Sequence, residues 1–119
     1  MKDFRQLKVW EKAHLLAVSI YKVTKGFPKE EIYGLTSQIR RAAVSIPNNI
    51  AEGCGRGSDA DLAHFLQIGM GSSSEVEYLL LLSRDLGLMG NADYEQLNLQ
   101  IVEIKRMLSG LIKTLRAES

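Results

Sequence analysis

Apolar residues recur at steps of three and four along most of the chain, and polar residues occupy the positions between them. This spacing places the apolar side chains on one face of an α-helix. No segment shows the alternation or the β-branched run that is typical of a strand, and proline occurs only at positions 28 and 47. The pattern predicts no strand and four helices, over about residues 4–25, 37–55, 59–88 and 92–117.

Residues that favour helix ends separate these segments. Gly26 and Pro28 follow the first segment, and a proline cannot continue the helical hydrogen-bond ladder. Thr36 precedes the second segment, and we predict that its side chain caps that helix. Ser58 with Asp61 three residues later resembles a capping box and opens the third segment.

The inner face of each helix follows from the same spacing. For the first helix it comprises Val9, Trp10, Ala13, Ala17, Ile20, Tyr21 and Thr24. For the third helix it comprises Leu62, Phe65, Ile68, Gly69, Ser72, Val76, Leu79, Ser83 and Leu86. The fourth helix carries a heptad pattern formed by Tyr94, Leu97, Ile101, Ile104, Leu108, Leu111 and Leu115.

Four amphipathic helices joined by short connections predict an all-α fold, an antiparallel up-down four-helix bundle that forms a single domain over residues 1–119. Some apolar residues fall outside the predicted inner faces, namely Leu15, Val18, Leu81 and Leu99. Apolar residues outside a bundle core often mark contacts between copies of a chain. We therefore hypothesise a homo-oligomer.

The charge is balanced overall but not along the chain. Among 119 residues there are 15 Lys and Arg against 14 Asp and Glu. Residues 1–60 hold ten basic and six acidic residues, whereas residues 61–119 hold five and eight. The basic N-terminal half permits contact with nucleic acid, but the chain lacks the strong positive charge of dedicated nucleic-acid binders.

Cysteine usage and hydropathy bear on the compartment. The single cysteine excludes an intramolecular disulfide and favours a reducing environment, so we expect a cytoplasmic protein. The longest stretch without Asp, Glu, Lys or Arg covers residues 62–74, which is too short to cross a bilayer. The N-terminal residues do not begin a signal peptide. We expect neither membrane insertion nor export.

Side chains that could carry catalysis or hold a metal are few. His14, Cys54 and His64 lie on three different segments without ligand spacing, which argues against a metal site. Cys54 has two interpretations, a reactive thiolate whose pKa is lowered by Arg56 or a small apolar residue at a helix end. No general base is apparent beside it, and the glycines of residues 53–57 match no nucleotide-binding motif. We predict no enzymatic activity and no cofactor.

A polar stripe along the second helix is the main candidate site. It consists of Arg40, Arg41, Ser45, Asn48, Asn49, Glu52 and Arg56. Two interpretations are open: a hydrogen-bonded network between helices or subunits, which we favour for Arg41 and Glu52, and phosphate contacts by Arg40 and Arg41. A weaker candidate is a basic row on the first helix, either a solvated face or a nucleic-acid contact, formed by Lys8, Lys12, Lys22 and Lys25.

Three segments of the sequence point to a known protein family. FRQLKVWEKA covers residues 4–13, FP covers residues 27–28, and QIRRAAVSIPNNIAEG covers residues 38–53. These segments resemble the bacterial four-helix bundle family encoded in 23S rRNA intervening sequences, and the likeness continues through residues 55–56, 65–66 and 71–75. Residues 38–53 carry the most specific part of the likeness, and they contain most of the polar stripe.

This resemblance implies a ring of small up-down bundles, typically a homopentamer with a central channel, and no known catalytic activity. The family is also similar to the accessory variability protein of diversity-generating retroelements, a basic pentameric barrel that works with a reverse transcriptase and binds nucleic acid. The chain departs from the pattern in its near-neutral charge, in Ser73 where many members carry a bulkier apolar residue, and in its lack of a basic tail.

The function that we expect is therefore a non-enzymatic, pentameric scaffold. Its partners would be other copies of the chain and structured RNA or a nucleic-acid-processing protein. The alternative is a protein–protein interaction adaptor without nucleic-acid contact, in which the exposed leucines and the acidic C-terminal half dock a partner helix.

Overall fold

A computed structural model describes residues 2–118. The helices are α1 Lys8–Thr24, α2 Leu35–Gly55, α3 Asp59–Asp85 and α4 Asn91–Glu118, with short 3-10 turns at Phe4–Gln6 and Lys29–Glu31. The described part of the chain contains no strand. The predicted four helices and the all-helical fold class are confirmed.

The helices form a closed cycle of neighbours. α1 packs against α2 and α4, and α3 packs against the same two helices. Across residues 2–118, the diagonal pairs α1–α3 and α2–α4 do not come together. The short connections make each helix antiparallel to the one before it, which produces an up-down bundle measuring 46 × 22 × 20 Å.

The core lies along the axis of this bundle and is almost entirely aliphatic. Residues without any exposed surface include Leu16 and Ile20 of α1, Ile46 of α2, and Ile101 and Leu108 of α4. The predicted heptad pattern of α4 is buried over most of its length, although near its end Ile112 is buried and Leu111 is only half-buried. Burial of these side chains supplies the main stabilising term for the fold.

The predicted inner face of α3 is partly wrong. Its fully buried stripe includes Leu62, Leu66, Gly69, Ser73, Val76, Leu80 and Ser83. Two residues that we placed inside, Ile68 and Leu86, are instead exposed. Leu62, Gly69, Val76, Leu79 and Ser83 are buried as predicted, whereas Leu66, Ser73 and Leu80 are buried without having been assigned to the inner face. The hydroxyl groups of Ser73 and Ser83 donate to the carbonyls of Gly69 and Leu79 at 2.8 and 2.7 Å, which satisfies them inside the core.

The first helix also differs from its prediction. α1 begins at Lys8 rather than at residue 4, because Leu7 is extended and separates α1 from the 3-10 turn Phe4–Gln6. Leu16, which we had not assigned to the core, is fully buried, whereas the side chain of Tyr21 is exposed. α3 ends at Asp85 rather than at residue 88, because Gly87 takes a positive φ of 75° beyond its last turn.

The predicted cap of α2 is wrong as well. The helix begins at Leu35, and the backbone N–H of Leu35 donates to Oε1 of Glu31 at 3.2 Å. A carboxylate from the preceding turn therefore occupies the position that we had given to Thr36. Thr36 lies in the first turn with only 4% of its surface exposed, and its Oγ1 has no hydrogen-bond partner.

α2 and α3 pack closely at two glycines. A Cβ placed on Gly53 would lie 2.9 Å from Cβ of Phe65 and 3.0 Å from Cδ1 of Leu62. A Cβ placed on Gly69 would lie 3.8 Å from the carbonyl oxygen of Ile46, on the facing helix. Gly53 thus leaves no room for a side chain where the two helices meet.

We expect Thr36→Val to stabilise the protein by about 1 kcal/mol, because it removes a buried hydroxyl group that has no partner. Urea unfolding measures this change directly, and the melting temperature should rise by about 4 °C. Thr24→Val is the matched control, since Thr24 is 2% exposed but its hydroxyl bonds to the carbonyl of Ile20 at 2.7 Å. The control should lower stability; a loss in both variants would contradict the interpretation.

Candidate functional site

The polar stripe of α2 divides into side chains that bond within the chain and side chains that face solvent. Six of the seven candidate residues lie on α2, and the seventh, Arg56, follows the last turn of that helix. Neighbouring positions in the stripe point toward α1, toward α3 or away from the bundle. The division shows which of them a ligand can reach.

Arg40 joins α2 to the end of α1. Its Nε donates to Oγ1 of Thr24 at 2.8 Å, and its Nη2 donates to the carbonyl of Tyr21 at 3.3 Å. The guanidinium also lies over the ring of Tyr21, with Cζ 4.6 Å from the ring centroid. A cation in this position complements the negative end of the α1 dipole. Two of the five guanidinium N–H groups of Arg40 are thus bonded to α1, which favours a structural role, and the phosphate contact that we considered for it stays a prediction.

Ser45 and Asn49 join α2 to α3. Oγ of Ser45 lies 2.8 Å from Oγ of Ser72 on the facing helix. The side-chain amide of Asn49 donates to the carbonyl and the hydroxyl oxygen of Ser45, at 2.8 and 3.0 Å. This small network is half-buried and structural. The sequence placed Ser72 on the inner face of α3, but spacing alone did not identify it as the partner of Ser45.

Glu52 and Arg56 form an ion pair one turn apart on the surface. Nη2 of Arg56 lies 2.9 Å from Oε2 of Glu52, and the guanidinium also covers the ring of Phe65 with Cζ 4.9 Å from its centroid. A partly exposed pair of this spacing contributes little to stability, about 0.3–0.5 kcal/mol. Within residues 2–118, Arg41 and Glu52 form no network with another helix, and the network between subunits that we favoured for them stays a prediction.

Arg41 and Asn48 are the members of the stripe that remain available. They lie seven residues apart on the outward side of α2, and both side chains are exposed. Neither one makes a side-chain hydrogen bond or an ion pair with any residue in the range 2–118. A guanidinium and a carboxamide on one exposed ridge can bind phosphate oxygens and the edges of bases.

The basic row on α1 is divided in the same manner. Nζ of Lys12 lies 3.0 Å from Oε1 of Glu103, and this ion pair connects α1 with α4. Lys8, Lys22 and Lys25 are exposed and have no ion-pair partner within the described chain. The row is thus reduced to three solvated lysines, and Lys12 serves the fold.

Cys54 lies inside the bundle. It is 2% exposed, and burial raises the pKa of its thiol, an effect that the nearby Lys2 opposes. The exposed thiolate with a lowered pKa that the sequence allowed is therefore wrong, and the small buried residue at a helix end is the correct interpretation. Within residues 2–118, no three His, Cys, Asp or Glu side chains lie together as a metal site would require. None of the described helices is long and apolar enough to cross a membrane.

We expect Arg40→Ala to lower the free energy of unfolding by about 2 kcal/mol, because charge-assisted hydrogen bonds to α1 are lost. Arg41→Ala should change it by less than about 0.5 kcal/mol, because the side chain has no partner in the chain. Urea unfolding of the two variants under the same conditions makes the comparison. Equal losses in both would show that Arg41 also holds the fold together.

Comparison with known proteins places the chain in a family. The profile of the 23S rRNA-intervening sequence protein family matches residues 5–110. A crystal structure of a protein with unknown function from the S23 ribosomal protein family of Bacteroides thetaiotaomicron is similar, with 31% sequence identity and a TM-score of 0.81. That match covers 88% of this chain and 95% of the other. No curated protein matches the chain. The family resemblance is confirmed: the chain belongs to the 23S rRNA-intervening sequence protein family.

Proposed function

We propose that this protein is a non-catalytic scaffold that assembles into a homo-oligomeric ring, a pentamer, and binds structured RNA through the outward side of α2. The observation that carries the RNA proposal is the division of the polar stripe. Arg40 and Ser45 are bonded to neighbouring helices and Asn49 is bonded to Ser45 within α2, whereas Arg41 and Asn48 are exposed and make no side-chain hydrogen bond within residues 2–118.

The low net charge of the chain predicts a moderate affinity of each subunit for RNA. The net charge is only +1, so few phosphates can be neutralised by each subunit. A ring multiplies each contact by the number of its subunits, and an RNA that touches several subunits at once gains affinity by avidity. The name of the family refers to 23S rRNA, which makes structured RNA the ligand class of choice. A nucleic-acid-processing protein would be a further partner of the same complex.

Exposed apolar residues on α1, α2 and α4 support self-association. Leu15 is 55% exposed on the α4 side, where it lines a surface depression together with Gln100, and Leu99 on α4 is 72% exposed. Val18 on α1 and Val44 on α2 are exposed as well. A ring joins two different patches on each subunit, and the exposed apolar residues of α1, α2 and α4 supply surface for them.

RNA binding can be tested by the fluorescence anisotropy of a labelled structured RNA at about 50 and 200 mM salt. We expect micromolar binding that weakens with salt, because the contacts are to phosphates. Arg41→Ala should weaken it several-fold and reduce the slope of log K against log salt by about one per subunit engaged. Arg106→Ala is the matched control, since Arg106 is equally exposed and without an ion pair but lies on α4.

No binding at the lower salt concentration would reject RNA as the ligand and leave the protein–protein adaptor as the function. Equal losses in Arg41→Ala and Arg106→Ala would mean that any surface cation contributes, and the α2 face would then have no special role.

The oligomer is tested by light scattering coupled to size exclusion. We expect the wild-type mass to be about five times the 13.3 kDa of one chain. The double variant Leu15→Glu, Val18→Glu should run at the mass of one chain, because it places charges at two exposed apolar positions of α1. Tyr78→Glu, which changes an exposed apolar residue of α3, should keep the wild-type mass. A wild-type protein that is monomeric at micromolar concentration would remove the ring.

A further inference from the structure

A long groove runs along the surface between α3 and α4. Two adjoining depressions, with volumes of about 390 and 310 Å³, share Met70 of α3 and Ser109 of α4. On α4 the lining extends from Val102 to Arg116, which corresponds to about 21 Å of helix. That length matches three to four turns of a second helix.

The floor of the groove is apolar. Met70 and Val102 are half-buried and pack against the core cluster, and Ile112 contributes the edge of a nearly buried side chain. Methionine is flexible and polarizable, so a floor that contains one adapts to apolar side chains of different shape. Gln67 and Ser109 add uncharged polar side chains to the lining.

The rims of the groove are basic, although they belong to the acidic half of the chain. Residues 61–119 contain five Lys and Arg. Four of these line the groove, namely Lys105, Arg106, Lys113 and Arg116. The fold therefore gathers the few cations of this half onto one surface, which the count of charges along the sequence did not reveal.

Two of these cations are available to a partner. Nζ of Lys105 lies 2.8 Å from Oε1 of Glu77, so that lysine is already paired across the groove. Arg106 and Lys113 are exposed, and within residues 2–118 neither one makes a side-chain hydrogen bond or an ion pair. Because Lys105 balances the charge of Glu77, the charge that the groove offers to a partner is that of its remaining cations.

We propose that the α3–α4 groove docks an acidic amphipathic helix of a partner protein. The apolar face of that helix lies on Met70, Val102 and Ile112, and its acidic flank faces Arg106 and Lys113. Charge complementarity chooses this occupant, since an apolar floor between basic rims fits a helix with leucines on one face and carboxylates beside them. The groove does not involve α2, so the proposal stands whether or not Arg41 binds RNA.

The test uses a fluorescein-labelled peptide of about 16 residues with leucines at helical i, i+3, i+4 and i+7 spacing and glutamates and alanines elsewhere. One control peptide carries lysine in place of each glutamate. A second has the same composition in an order that spreads the leucines around the helix. Anisotropy titrations of the full chain should give micromolar binding for the first peptide and at least about tenfold weaker binding for both controls.

Two variants locate the binding in the groove. Arg106→Glu with Lys113→Glu should weaken the acidic peptide at least about tenfold and make the lysine peptide bind. Lys8→Glu with Lys22→Glu imposes the same charge change on α1 and should leave the affinity within about twofold. Ser109→Trp fills the junction of the two depressions without touching the core, and it should abolish binding of the acidic peptide.

Three results would overturn the proposal. The first is no binding of the acidic peptide at millimolar concentration by the wild-type protein. The second is weakened RNA binding, with the peptide unaffected, in the Arg106→Glu, Lys113→Glu variant, which would identify the groove as a phosphate surface. The third is a drop in the light-scattering mass of Ser109→Trp, because the groove would then hold a second copy of the chain.

Discussion

The close approach of α2 and α3 is the constraint on which the rest of the structure depends. At Gly53 an added Cβ would lie within 3.0 Å of both Phe65 and Leu62, and Gly69 faces the backbone of α2 two turns away. Two helices that meet at backbone distance cannot slide or rotate past each other without steric clash. This contact fixes the register in which Ser45 meets Ser72, and it thereby decides which side of α2 is turned outward.

The fixed rotation of α2 gives each polar residue its role. Arg40 is directed at the end of α1, Ser45 at Ser72 of α3, and Arg41 at solvent. Arg40 and Arg41 therefore have different surroundings, although they are adjacent in the sequence. The proposed RNA face on α2 and the proposed peptide groove between α3 and α4 use different helices, and α2 and α4 are diagonal in the bundle. A single subunit can hold both ligands without competition between them.

Much of the fold follows from hydrophobic periodicity. The heptad spacing of α4 and the capping pair of Ser58 and Asp61 predict the corresponding elements correctly, because the signals are local. The start of α2 was missed because Glu31, four residues before Leu35, takes the capping position through a turn whose shape the sequence does not reveal. The inner face of α3 was only partly predicted because leucine and isoleucine occur on several sides of this helix, and spacing alone did not separate the buried Leu66 and Leu80 from the exposed Ile68 and Leu86.

The division of the polar stripe into bonded and exposed residues could not be predicted from the sequence. The sequence shows a polar stripe on an amphipathic helix, and it cannot show which members are used by neighbouring helices. The role of each residue depends on how α2 is rotated about its axis relative to its neighbours. Packing at residues such as Gly53, which has no side chain, sets that rotation. The clustering of Arg106 and Lys113 beside Met70 was likewise not predicted, because Met70 lies more than thirty positions before either of them in the sequence.

The polar links between helices also differ in kind. α2 is tied to α1 by the hydrogen bonds of Arg40 and to α3 by the paired serine hydroxyls. α4 is tied to α1 by Lys12 and Glu103 and to α3 by Lys105 and Glu77, which are ion pairs at partly exposed positions. Mobile ions screen attractions between such charges but leave hydrogen bonds between neutral hydroxyls almost unchanged. Rising ionic strength therefore weakens the polar links of α4 more than the links between α2 and α3, while the buried apolar side chains of α4 continue to hold that helix in the bundle.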